Sequence, residues 1–505
     1  MIGKTRKSSL TILILLAALP IFLPAFSAPA SALTEVEVNP VNSPAGAVVL
    51  IADGMSAPFI YPELTPYAID GNPLEKALLK TIPEIGEDSA RVLEFRAPQT
   101  FTEGGHSVLV TGNSKADSEM ASFRDATVFD VLHGEGYLCI AVMEKGDSWS
   151  ICSEQDAILR DKNNSMKDLQ IVLEQYDHSP EAPRVPPGLI ALMEEEAGKA
   201  PGYVSSKETR ERYSGYNRWG LDAACAIVEY MAENRQGQKY LLTVNVGAVD
   251  MSGHYRGSYG YIDCIESLDA ELAPLYGLCR ENNIAFILTA DHGMGFSSEG
   301  SKGGHQSEKY SVTDEARMVP LIVHARDVER GVLRGEFGQE DFAPTLLGVL
   351  DVPERPRFAD GEQILLTGHV NLKVELPGEG TAELLKDGKL IASAGNDNEF
   401  VFFGLEPESA YTVRAALENG DRLEGKEKEV FLGTDSVIEF NKKGLDMQET
   451  VPGNGQEDKT GSQSGPGGES TGFFGIDPKQ LIGYLFIGLI NLAGLVIIAK
   501  VLKKQ

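Results

Sequence analysis

Five residues in one short window have the chemistry of metal ligands. They are Asp250 and His254 in Asp250-Met251-Ser252-Gly253-His254, Asp291 and His292 in Thr289-Ala290-Asp291-His292-Gly293-Met294, and His305 in Gly303-Gly304-His305. Carboxylate oxygen and neutral imidazole both suit Zn²⁺, Mn²⁺ and similar divalent ions. Five such groups at three strand ends imply two ions rather than one. A pair of ions a few ångströms apart is a device for moving phosphoryl groups, so the window predicts a metal-dependent hydrolase.

Two upstream segments can complete such a site. Leu50-Ile51-Ala52-Asp53-Gly54-Met55 places Asp53 at the end of an apolar run. Thr102-Glu103-Gly104-Gly105-His106-Ser107 places a hydroxyl, a carboxylate and an imidazole beside two glycines. Thr102 is the candidate nucleophile and Ser107 its competitor. His106 reads either as a contact to phosphoryl oxygens or as a packing residue beside Thr102. Lys302 and Arg124 could meet substrate anions, although solvated surface positions explain them as well. His133, His178, His324 and His369 have no evident partner and read as structural.

The elements that must position these residues alternate between strand and helix. Apolar runs at 47–51, 137–143, 240–246, 284–289 and 319–324 read as buried strands, with helices at 127–132, 221–234, 261–281 and 341–350. Alternation of this kind predicts an α/β fold, a doubly wound and mostly parallel sheet with helices on both faces. Ligands gather at the carboxyl ends of such strands, where Asp53, Asp250, Asp291 and His292 all fall. The Gly- and Pro-rich stretch at about 144–220 reads as a cap or insertion over the site.

In this order the segments resemble the alkaline phosphatase superfamily, which takes in alkaline phosphatases, cofactor-independent phosphoglycerate mutases, nucleotide pyrophosphatase/phosphodiesterases and sulfatases. Thr102-Glu103-Gly104-Gly105-His106 is similar to the mutase Ser-Glu-Val-Gly-His segment. Asp250-Met251-Ser252-Gly253-His254 is similar to the mutase Asp-Met-Val-Gly-His. The resemblance covers roughly residues 47–352. It implies one metal held by Asp250, His254 and His305, and a second held by Asp53, Asp291, His292 and the Thr102 hydroxyl. The cofactors it implies are two divalent ions, Zn²⁺ or Mn²⁺, with Mg²⁺ the alternative. It implies a phosphomonoesterase with a phospho-threonine intermediate. A phosphodiesterase or phosphotransferase acting on envelope components is the alternative, and an inactive surface-binding protein is the rival of another class. The Cys-x-Pro-x-Arg context of sulfatases is absent. Asn245 stands where alkaline phosphatases with a third metal have Glu. The shorter insertion and the export signals disfavour mutase activity.

The rest of the chain sets the location. Lys4, Arg6 and Lys7 precede the apolar run 10–26, and Ala30-Ser31-Ala32 is a small-residue cleavage site, so residues 1–32 read as a signal peptide. A second apolar run at 481–499 is followed by Lys500, Lys503 and Lys504. About 20 apolar residues span a bilayer, and the trailing lysines favour a cytoplasmic tail. The expected order is a catalytic domain at 33–365, a small β-sandwich (fibronectin type III-like or carboxypeptidase regulatory-like) at 366–440, a linker at 441–478, a transmembrane helix at 479–500 and a tail at 501–505. That order predicts a single-pass cell-membrane protein with an extracellular catalytic domain. The expected partners are a phosphorylated small-molecule or envelope substrate and the membrane. A net charge of −29 over 505 residues excludes non-specific nucleic-acid binding, which needs a basic face. Cys139 and Cys264 lie in apolar runs and read as core residues. Five cysteines leave at least one unpaired within a monomer. Asn163-Asn164-Ser165 is a glycosylation sequon.

Overall fold

A computed structural model describes residues 33–442 apart from 145–148, 177–183, 421–422 and 424. The expected signal peptide, linker, transmembrane helix and tail lie outside the described residues. Among the described residues, no helix is long and apolar enough to cross a membrane.

A nine-stranded sheet organises the catalytic half. In spatial order its strands are Gly331–Leu333, Ala90–Val92, Leu321–His324, Ala285–Thr289, Gly46–Ala52, Tyr240–Val246, Leu138–Met143, Ala157–Asp161 and Ile171–Gln175. The run from Ala285–Thr289 to Ala157–Asp161 is parallel throughout. Every residue of Gly46–Ala52 and of Tyr240–Val246 is buried, which requires cover on both faces of the sheet. The Leu321–His324 strand departs from the expected parallel order and runs antiparallel to both neighbours.

The described residues of the 144–220 stretch join the main fold. Its Ala157–Asp161 and Ile171–Gln175 strands extend the edge of the main sheet, and its Pro187–Tyr203 helix packs on the Thr209–Asn234 helix. The single helix expected at 261–281 is two. Ala248–Glu271 is followed by Ala273–Glu281, with Pro274 in the first turn of the second, where its missing N–H costs no hydrogen bond.

In the β module six strands share one hydrogen-bonded network around a separate apolar core. Its longest strands are Val370–Lys386 and Lys389–Leu405. Pairing is irregular between Glu375 and Gly380, around Pro377. Val370–Lys386 changes partners there, pairing Ser436–Glu439 before the irregularity and Ser409–Leu417 after it. The sixth strand, Thr34–Glu37, comes from the start of the described chain and runs parallel to Lys389–Leu405.

A buried polar network joins this module to the catalytic half. His369 Nε2 lies 2.7 Å from Asp351 Oδ1, and Asn371 Nδ2 donates to the same oxygen at 2.9 Å. The Asn371 N–H donates to Asp435 Oδ1 at 2.7 Å.

Candidate metal centre

Each candidate ligand emerges where a strand gives way to a turn or a helix. Asp53 directly follows the Gly46–Ala52 strand and is fully buried. Gly54 then takes φ +76°, and a Cβ there would lie 2.9 Å from the Cβ of Asp250. Glycine therefore lets the Asp53 turn pass close to the helix carrying Asp250, and the Asp250 N–H donates to the Asp53 carbonyl at 3.0 Å. The Tyr240–Val246 strand leads into the Ala248–Glu271 helix, whose first two turns place Asp250 and His254 on one face. Asp291 and His292 follow the Ala285–Thr289 strand by one residue. His305 follows the short Gly303–Gly304 strand.

The segment that carries Gly104 and Gly105 is the start of a helix, Thr102–Thr111, with Thr102 as its first residue. That helix packs so closely on the Asp291 turn that a Cβ on Gly105 would lie 2.2 Å from the Asp291 carbonyl oxygen. The close approach brings Thr102 Oγ1 to 3.3 Å from His292 Nε2.

Two ligand groups result. In the first, Asp250 Oδ1 lies 3.3 Å from His254 Nε2 and 3.4 Å from His305 Nε2. The two Nε2 atoms are 2.9 Å apart. In the second, His292 Nε2 lies 3.7 Å from Asp53 Oδ1 and 3.5 Å from Asp291 Oδ2. Ligand atoms of Asp53, Asp250 and His292 also lie within 4.8 Å of one another, so Asp250 joins the two groups. The His292 and His305 rings stack with centroids 3.7 Å apart.

The outer nitrogen of each imidazole faces a backbone carbonyl. His254 Nδ1 is 3.2 Å from the Gly303 oxygen, His292 Nδ1 is 2.9 Å from the Gly293 oxygen, and His305 Nδ1 is 2.7 Å from the Thr100 oxygen. Donation from Nδ1 leaves the Nε2 lone pairs directed at the centre, the tautomer that a metal ligand needs. The residues present therefore fit a pair of divalent ions. Burial, and then the proximity of His305, hold His292 down to about 3, so it is a neutral donor. Burial also pulls His305 down, but its hydrogen bond to Asp250 and that carboxylate's charge outweigh burial and raise it. A cation at the centre would take the place of that proton.

His106 does not have the contact expected of a catalytic residue. It is fully buried, with Nε2 3.3 Å from Asn245 Oδ1 and Nδ1 3.9 Å from Asp291 Oδ2. Its ring packs between those two side chains, which suits orientation of Asp291 rather than contact with substrate. Arg124 is 91 % exposed beside Asp125, and Lys302 is exposed.

Several supporting residues carried no signal in the sequence. Gln339 Nε2 donates to the carbonyls of both Ala290 and Asp291 at 2.7 Å. The Thr100 hydroxyl donates to the His305 carbonyl at 2.8 Å. Tyr261 donates its hydroxyl to the Gly54 carbonyl at 2.7 Å and accepts the Ser56 N–H at 2.8 Å. Glu144 Oε2 accepts the Gly247 N–H at 3.0 Å, and Asn217 Oδ1 accepts the Ala248 N–H at 3.1 Å. These last two bonds satisfy donors at the start of the helix bearing Asp250 and His254. All five supporting side chains come from segments remote from the ligands they serve, so no local pattern marks them.

Residues 220–350 match the family model described as Metalloenzyme superfamily, a span that contains five of the candidate ligands. The chain is also similar to curated proteins. A 2,3-bisphosphoglycerate-independent phosphoglycerate mutase of Mycoplasmopsis pulmonis is 30% identical over 112 residues, 22% of this chain and 20% of the relative. A phosphopentomutase of Alkaliphilus oremlandii is 26% identical over 136 residues, 26% of this chain and 31% of the relative. The chain thus spans under a third of the length of these relatives. Among solved structures, the alkaline phosphatase PafA aligns at 12% identity and a TM-score of 0.48, over 65% of this chain and 100% of that one.

Proposed function

We propose that this metalloenzyme is a two-metal phosphoric-ester hydrolase in which Thr102 is the nucleophile. The observation that carries the reading is the Thr102 hydroxyl 3.3 Å from His292 Nε2, at the edge of a complete Asp/His ligand set. Asp250, His254 and His305 would hold one ion, and Asp53, Asp291, His292 and Thr102 the other. Bound there, the pair would supply Lewis acidity, lowering the pKa of an oxygen nucleophile and offsetting charge on the transferring group.

The protein's own residues do the rest. Thr102 opens a ten-residue helix, so the N–H groups of its first turn are free of intrahelical partners and favour a phosphoryl group beside the hydroxyl. Thr102 Oγ1 forms a bond to phosphorus as the ester's leaving oxygen departs, and the hydroxyl proton passes to solvent. Water then cleaves the phospho-threonine, releasing phosphate and restoring the hydroxyl. His106 and Gln339 hold Asp291, and Thr100 holds His305, through both steps.

The complete ligand set opposes the reading of an inactive binding protein. The names of the mutase relatives favour a second reading, transfer of the phosphoryl group to an acceptor hydroxyl instead of water. Export and membrane anchoring by the apolar runs at 10–26 and 481–499 belong to the same proposal, with phosphorylated envelope components as substrates.

Turnover of p-nitrophenyl phosphate and bis-p-nitrophenyl phosphate with Zn²⁺ or Mn²⁺ tests it. The expected result is metal-dependent hydrolysis that Asp291→Asn abolishes, the faster ester giving the class. Binding of metal without turnover of either ester, but with transfer to an added sugar hydroxyl, would favour the second reading. Absence of metal binding would reject both.

A further inference from the structure

A third group of ligating atoms lies away from the catalytic centre. His133 Nε2, Cys139 Sγ and a carboxylate oxygen of Asp156 all lie within 4.8 Å of one another. Cys139 is fully buried and Asp156 is 4% exposed, while the His133 side chain keeps 8% of its surface open. His133 Nε2 is 3.2 Å from Asp156 Oδ2, the oxygen that also accepts the Cys139 N–H at 2.7 Å.

Topology builds this cluster. Cys139 is the second residue of the Leu138–Met143 strand. Asp156 immediately precedes Ala157–Asp161, the parallel neighbour of that strand, and its N–H donates to the Cys139 carbonyl at 2.8 Å. His133 comes from the last turn of the Val128–Gly134 helix, which leads into the same strand. The three residues therefore meet at the amino ends of the strands. Asp53, Asp250 and Asp291 lie at the carboxyl ends, roughly 20 Å away at about 3.3 Å per residue over a six-residue strand.

We propose that His133, Cys139 and Asp156 form a structural site for Zn²⁺. His133 and Asp156 form an ion pair, and Cys139 packs in the core with its sulfur within reach of both. A thiolate, an imidazole and a carboxylate together match the donor preferences of zinc, and sulfur disfavours Mg²⁺ and Ca²⁺. Zinc displaces the Cys139 thiol proton to the buffer as the Zn–S bond forms. Water completes the coordination on the open side at His133. The ion would tie one helix and two strand starts together, in a chain whose five cysteines form no disulfide.

Cobalt spectroscopy on the full-length, metal-stripped protein tests the site. The catalytic ligand set contains no sulfur, so its cobalt complex gives no thiolate charge-transfer band. The expected result is one such near-ultraviolet band from about one equivalent of Co²⁺. It should persist in Asp250→Asn and Asp291→Asn and vanish in Cys139→Ser. His133→Gln should weaken Co²⁺ binding at this site by at least about tenfold. Circular dichroism establishes that each variant folds, and His133→Gln decides the matter if Cys139→Ser does not. A folded wild-type protein without the band at saturating Co²⁺ would overturn the proposal. So would a band that survives Cys139→Ser, or affinity unchanged by His133→Gln.

Discussion

The Nε2 atoms of His254 and His305 lie 2.9 Å apart, and both face Asp250 Oδ1. With each Nδ1 facing a backbone carbonyl, both inner nitrogens are acceptors, and two acceptors at that distance need a proton or a cation between them. Asp250→Asn removes the charge that holds such a cation. The expected result is the loss of one bound ion per chain, measured by elemental analysis. kcat/KM for an aryl phosphate should fall on the order of 10²-fold or more, since charge neutralisation acts on the transition state.

Thr102 offers a graded test. Thr102→Ser keeps an oxygen at the start of the helix and should keep measurable turnover. Thr102→Ala should lose nearly all of it while still binding the first ion, because Asp250, His254 and His305 are untouched. Steady-state kinetics beside metal titration separates the two effects.

Glu144 and Asn217 act through the helix that they hold. Burial first of all pushes the Glu144 carboxyl well above the usual carboxylate range, yet its Oε2 still accepts the Gly247 N–H. Glu144→Gln keeps an acceptor there and should behave almost as wild type. Glu144→Ala leaves a buried N–H unpaired and should weaken metal binding about 10- to 100-fold. Calorimetric titration with Mn²⁺, alongside the melting temperature, distinguishes this from general destabilisation.

The junction with the β module gives a pH dependence. Burial pushes Asp435 up to about 7. Burial pulls His369 down, but the hydrogen bond to Asp351 and its charge outweigh it and raise His369. Folded Asp435 holds its proton above the pH at which the unfolded residue releases it, so its contribution falls as pH rises from about 4 to 7. The His369 contribution is complete below its unfolded value of about 6.5 and is lost as pH rises through the higher folded value. Thermal stability should therefore fall as pH rises from about 5 to 8, and Asp435→Asn should flatten part of that fall. Scanning calorimetry of both proteins across the range checks the sign.

Much of the catalytic half was legible because its signals are local. Each ligand-bearing motif follows an apolar run, and a strand end projects the next side chains to the edge of the sheet. Asp53, Asp250, Asp291 and His292 were placed together on that ground alone. The place of Thr102 at the start of a helix is hidden in the sequence by Gly104 and Gly105, residues unfavourable in a helix. Gly105 answers its close contact with Asp291, which only the tertiary structure contains. The role of His106 was open for the same reason. In the β module, Pro377, Gly378 and Gly380 lie where Val370–Lys386 changes partners. A bulge and a turn share that composition, and only the partners across the sheet tell them apart.

The fate of the phosphoryl group decides whether Thr102 is the nucleophile. Metal-loaded protein would be mixed with an aryl phosphate, quenched in acid and digested for peptide mass spectrometry. Phosphate is expected on the peptide containing Thr102, dependent on metal and absent in Asp291→Asn. Turnover without that modification, undiminished in Thr102→Ala, would contradict a Thr102 nucleophile.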